Sequence, residues 1–100
     1  MATTLPEALD APRHALHTEA AGKVSYYADQ SGKGKPLVLV HSINAAPSAL
    51  EVAPLFDHYR GTRPVYALEL PGFGFSERRQ RSYTPELYAQ TILAFCRDVV

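Results

Sequence analysis

The chain has 100 residues, ten Lys and Arg against ten Asp and Glu, and an apolar share of 46%. That length allows one small domain. The even charge balance gives no electrostatic reason to expect a nucleic-acid or membrane-surface partner. Residues 1–12 mix alanine, threonine, two prolines and two acids without an apolar core. They are expected to form a mobile arm, with at most a helical turn at residues 6–9, and not a signal peptide. Residues 13–20 suit a strand of modest propensity. The Ala21-Gly22 turn then leads to residues 23–29, whose valine and two tyrosines favour a second strand antiparallel to the first. Residues 31–36, with two glycines and a proline, are a turn.

Leu37-Val38-Leu39-Val40 is the longest purely aliphatic run, far short of a membrane span of roughly 20 residues. Its lack of polar alternation predicts a strand buried on both faces inside a sheet. Ser48 and Glu51 have capping-box spacing, ahead of a helix over residues 49–59. Val52, Leu55, Phe56 and Tyr59 are expected on its apolar face, with Pro54 kinking its second turn and Gly61 ending it. Residues 65–70 read as a strand and residues 71–81 as a loop. Thr84-Pro85 is an N-cap followed by proline at the first helical position. The helix it opens, over residues 85–100, has Leu87 or Tyr88, Ile92, Phe95 and Val99 on its apolar stripe. No Gly, Asn or Pro stops that helix, which predicts a chain that continues beyond Val100. Strand, loop, helix, strand is one βαβ crossover. Both of its loops fall at the carboxyl ends of strands, where such sheets carry their chemistry.

Several familiar chemistries fail on context. Gly72-x-Gly74 lacks the third glycine, the immediate helix and the later acid of a dinucleotide fingerprint. His41 and Ser42 are adjacent in an extended chain and point to opposite faces, so the histidine is expected to bond within its loop and not to serve the serine. His14, His17 and His58 stand in unrelated segments without metal-ligand spacing, so no metal is expected. Cys96 excludes an internal disulfide and implies a reducing, cytoplasmic setting. Beside the apolar stripe, it is expected to be a buried, inert thiol. The cluster Glu77-Arg78-Arg79-Gln80-Arg81 reads as a solvated loop.

Taken together, the two strand-end loops carry a resemblance. An aliphatic strand ending in His41-Ser42-Ile43-Asn44 is followed, after a helix, by Glu69-Leu70-Pro71-Gly72-Phe73-Gly74-Phe75-Ser76. Over residues 13–100 this resembles the amino-terminal half of an α/β-hydrolase, whose two strands commonly end in His-Gly-x and Asp-x-Pro-Gly-x-Gly-x-Ser. Ser42 replaces the usual glycine, and Glu69 replaces the usual aspartate. The fold implied is a partial α/β-hydrolase fold of the α/β class: an antiparallel opening hairpin, one βαβ crossover and one further helix, truncated before the nucleophile strand.

The resemblance implies one oxyanion-hole donor, the backbone N–H of Ile43. It also implies a pocket lined by His41, Ser42, Asn44, Gly72 and Phe73. The family's nucleophile, acid and catalytic histidine come later than any residue present here, so the 100-residue chain is expected to be inactive, with no catalytic residue and no cofactor. The complete parent would hydrolyse an ester or similar bond in a small-molecule substrate through a serine. The next strand of the family pairs beside Leu37–Val40, and without it that strand is an open edge. The alternative is therefore a non-enzymatic interaction domain that associates, with a partner or with itself, through the exposed strand edge.

Overall fold

A computed structural model describes residues 6–43, 49–78 and 82–100. Four strands, β1 (Arg13–Thr18), β2 (Gly22–Asp29), β3 (Leu37–Val40) and β4 (Val65–Leu68), form one mixed sheet in the order β1-β2-β4-β3. β1 and β2 are an antiparallel hairpin, with Arg13 opposite Tyr27 and Thr18 opposite Gly22. β2 also pairs antiparallel with β4, and β4 pairs parallel with β3, Leu37 beside Val65 and Val40 beside Leu68. A 3₁₀ turn (Ala49–Val52) and helix α1 (Ala53–Tyr59) lie between the parallel strands; α2 (Pro85–Asp98) follows. The expected hairpin, crossover and further helix are all present.

The sheet is covered on both faces. On one side, Leu39, Val65 and Ala67 pack with Ala49, Val52 and Phe56 from the crossover, and with Tyr27 and Leu9. On the other, Val24, Tyr66 and Leu68 pack with Leu87 and Phe95 of α2. The period-2 alternation of β4 splits Val65 and Ala67 from Tyr66 and Leu68, so this strand is buried on both faces. Phe95 meets Tyr26 and Tyr66 edge-on, with ring centroids 5.0 and 5.9 Å away.

Several expectations are corrected. The doubly buried strand is β4; β3 is an edge strand among the described residues, with Val40 37% exposed and only Leu39 buried. An aliphatic run reports apolar content and not a strand's position within a sheet. The helix over residues 49–59 is split: a 3₁₀ turn precedes α1, so Pro54 sits in the first turn of α1, where its missing donor costs little. Leu55 is exposed, and Ala49 takes a core place instead, because the 3₁₀ turn rotates the apolar face away from a continuous α-helical register. The strand after the crossover ends at Leu68 and the last helix at Asp98. Cys96 is exposed. Gly61 follows the α1 C-cap with φ +84°, and the Thr84 hydroxyl accepts the Leu87 N–H at 3.1 Å; both match their expected roles.

Residues 6–12, expected to be mobile, are strapped across the sheet. Leu9 enters the core, the Ala8 N–H donates to the Tyr27 hydroxyl, and Arg60 donates to the Asp10 carbonyl. Residues 1–5 lie outside the described residues. No helix among the described residues is long and apolar enough to cross a membrane.

Tyr27 anchors this strap, its hydroxyl donating to Glu7 while accepting from Ala8. Burial pushes its pKa up to about 12; the Ala8 N–H pulls against this, and the Glu69 and Glu7 charges add to the rise. A raised pKa favours the protonated form in the folded state, so its contribution is full below the unfolded value and lost as pH rises through the folded one. Unfolding stability is expected to fall between roughly pH 10 and about 12. In Tyr27→Phe that part of the urea-midpoint profile should flatten.

Candidate functional site

β3 and β4 run parallel, so their carboxyl ends, and the loops that leave them, lie on the same side of the sheet. After β4, residues 71–76 turn tightly: Gly72 and Gly74 have φ of +86° and +54°. The Phe73 N–H donates to the Leu70 carbonyl and the Ser76 N–H to the Phe73 carbonyl, each at 3.0 Å. A side chain at Gly74 has no room, since a Cβ there would lie 1.9 Å from Glu69 Oε2. That close approach and the left-handed backbone together require glycine.

His41 joins the two loops. It is 3% exposed, and its Nε2 accepts the Leu70 N–H at 3.0 Å. The proton of the neutral ring is therefore on Nδ1, which donates to the Ser42 carbonyl at 2.7 Å. Phe73 packs edge-on against the imidazole, with centroids 5.0 Å apart. Both ring nitrogens are thus committed, and neither reaches the Ser42 hydroxyl. That hydroxyl donates to Glu51 Oε1 at 2.6 Å, while the Ser42 N–H donates to Glu51 Oε2 at 2.6 Å. These bonds, the hydroxyl's first, hold the Glu51 carboxyl below the usual carboxylate range. Glu51 thus caps Ser42; Ser48, its expected capping-box partner, lies outside the described residues.

The orientation of Ile43 follows from this. The Ser42 carbonyl and the Ile43 N–H belong to one peptide plane. No cis peptide occurs among the described residues, so the two groups point in opposite directions. Holding the carbonyl on His41 therefore aims the N–H. The Ile43 side chain is 55% exposed. Of the other expected lining residues, His41 and Phe73 are in contact, Gly72 shares the Phe73 loop, and Ser42 faces Glu51. Asn44 lies outside the described residues.

Sequence reasoning missed the organising role of Glu69. Its carboxylate is 1% exposed; Oε1 accepts the Phe75 N–H at 2.9 Å and Oε2 the Ala49 N–H at 3.2 Å. It ties the glycine loop to the start of the crossover. Beside it, the Ser76 hydroxyl donates to the Glu69 carbonyl and accepts the Ser25 N–H at 2.8 Å. The available signal was an acid inside the apolar run Ala67-Leu68-Glu69-Leu70 next to a loop rich in free amides.

Among the described residues no cluster of three or more His, Cys, Asp or Glu could hold a metal ion. His14 stacks on Tyr26, and His58 meets Tyr59 edge-on. Replacing Glu69 by Gln exchanges one acceptor oxygen for an amide donor, which must then face Ala49 N–H or Phe75 N–H. Glu69→Gln is expected to cost about 1–3 kcal/mol in urea unfolding, with faster amide exchange at one of these two residues.

No protein-family model and no curated protein matches the sequence. A solved structure is similar in fold: that of a thermophilic esterase from Thermogutta terrifontis with malate bound. The similarity covers 87% of this chain and 32% of the esterase chain, at 24% identity and a TM-score of 0.63. This chain thus spans about a third of the esterase's length. What it shares with that enzyme is a fold: a mixed α/β sheet with helices on both faces.

Proposed function

We propose that this chain is the amino-terminal portion of an α/β-hydrolase, supplying one oxyanion donor and one wall of the site to a larger enzyme. The parent hydrolyses an ester or similar bond in a small molecule through a covalent serine intermediate. The observation that carries this is the held Ser42–Ile43 peptide, its carbonyl on His41 and its amide aimed from a strand end beside the glycine loop. An oxyanion donor must be fixed before charge develops, since a donor that has to reorganise spends its stabilisation on doing so. The fold likeness to an esterase over a third of that chain supports the same reading. Within these 100 residues there is no Gly-x-Ser-x-Gly elbow, so the chain alone is catalytically silent. Its lone cysteine fits a cytoplasmic setting.

A second reading rests on a separate observation. β3 has a sheet neighbour on one side only among the described residues, and Val40 is exposed at that edge. Such an edge can accept a partner strand, including one from a second copy. In sedimentation of the 100-residue chain, a defined dimer would favour this reading and a monomer would count against it.

The hydrolase reading is tested on the complete gene product. The coding sequence after Val100 should continue into a strand and a Gly-x-Ser-x-Gly elbow, and the product should turn over an activated ester, whereas residues 1–100 alone should not. Ile43→Pro, which removes the N–H, is expected to lower kcat by about 100- to 1,000-fold. Turnover by the 100-residue chain that Ser42→Ala abolishes would sink it.

A further inference from the structure

We propose that Glu51 is a positioning residue: by clamping Ser42 through both its N–H and its O–H, it holds the Ser42–Ile43 peptide in the orientation an oxyanion donor needs. This rests on the hydrolase reading above.

The clamp depends on the serine at position 42. A glycine at position 42 would leave a turn with no side chain to grip. Serine adds a hydroxyl, and one carboxylate takes both the hydroxyl and the amide of the same residue at 2.6 Å each. Two bonds from one residue to one carboxylate define a plane, as a single surface contact does not. The Ser42 carbonyl is held independently by His41 Nδ1 at 2.7 Å. All three polar groups of Ser42 are therefore engaged, and the rotation that would swing the Ile43 N–H is blocked at both ends of the residue.

The base of the clamp is also anchored. Glu51 projects from the 3₁₀ turn between Ala49 and Val52, both buried in the core. The Ala49 N–H is bound by Glu69, whose other oxygen holds the glycine loop. The clamp thus refers the position of Ser42 to the same carboxylate that sets the opposite wall. Because the Ser42 N–H is spent on Glu51, it does not compete for an anion, and the next described amide along the chain is the Ile43 N–H.

A solvated surface pair would contribute almost nothing, and the experiment separates that from a positioning role. In the complete gene product with an activated ester, Glu51→Ala should lower kcat by about 10-fold or more with KM changed by less than about twofold. Glu51→Gln, which keeps one acceptor for the Ser42 N–H, should lose less. In ¹⁵N spectra of the 100-residue chain, either change should shift the Ser42 amide proton upfield and speed its exchange. Melting temperatures of the variants identify any that fail to fold, and the Gln variant then carries the test. An unmoved Ser42 amide would disprove the clamp. A moved Ser42 amide with unchanged kcat would disprove the positioning role. If the unaltered gene product turns over no ester, the hydrolase reading itself fails and the positioning role falls with it, whatever the Ser42 amide does.

Discussion

A buried carboxylate holds the glycine loop and the start of the crossover in register. Glu69 leaves the central strand on the side of the crossover and is screened from water. A charge in that position is tolerable only if its lone pairs are taken. The Phe75 and Ala49 N–H groups take them, one from the glycine loop and one from the 3₁₀ turn. Much of the remaining local geometry follows from this. Gly74 must be glycine to let the carboxylate in, and the 3₁₀ turn starts where its first amide meets the acid.

Around that carboxylate the protein repeats one device. Backbone groups left outside the strand and helix ladders are captured by side chains, some from the same loop and some from across the sheet. His41 accepts from Leu70 and donates to Ser42; Ser76 bridges Glu69 and Ser25; Glu51 takes both donors of Ser42. Each capture satisfies a group that would otherwise be costly to bury or free to rotate. The strand ends are thereby held without regular secondary structure, which is what the proposed oxyanion donor would require.

Much of the fold was legible because its cues are local. The tyrosines and valine of β2, the aliphatic β3, the Thr84-Pro85 helix start and the positive-φ glycines each act within a few residues. The candidate site was legible in part. His41, Ile43 and the glycine loop were marked by their order along the chain, but their linkage was not. Nothing near Glu51 in sequence points to Ser42, nine residues earlier, and Ser48 offered a closer partner at conventional spacing. Leu9 looked like part of a free arm because its partner Tyr27 lies 18 residues away on β2.

By itself the sequence determined which segments extend, which coil and where the backbone must turn left-handed, since these depend on side-chain sterics and nearest-neighbour hydrogen bonds. Only the tertiary structure decided which strand is central and which is an edge, which nitrogen of His41 carries its proton, and which way the Ile43 amide points. Those depend on groups brought together across the sheet. Leu70 lies 29 residues from His41, and Ala49 lies 20 from Glu69; no local propensity reaches that far.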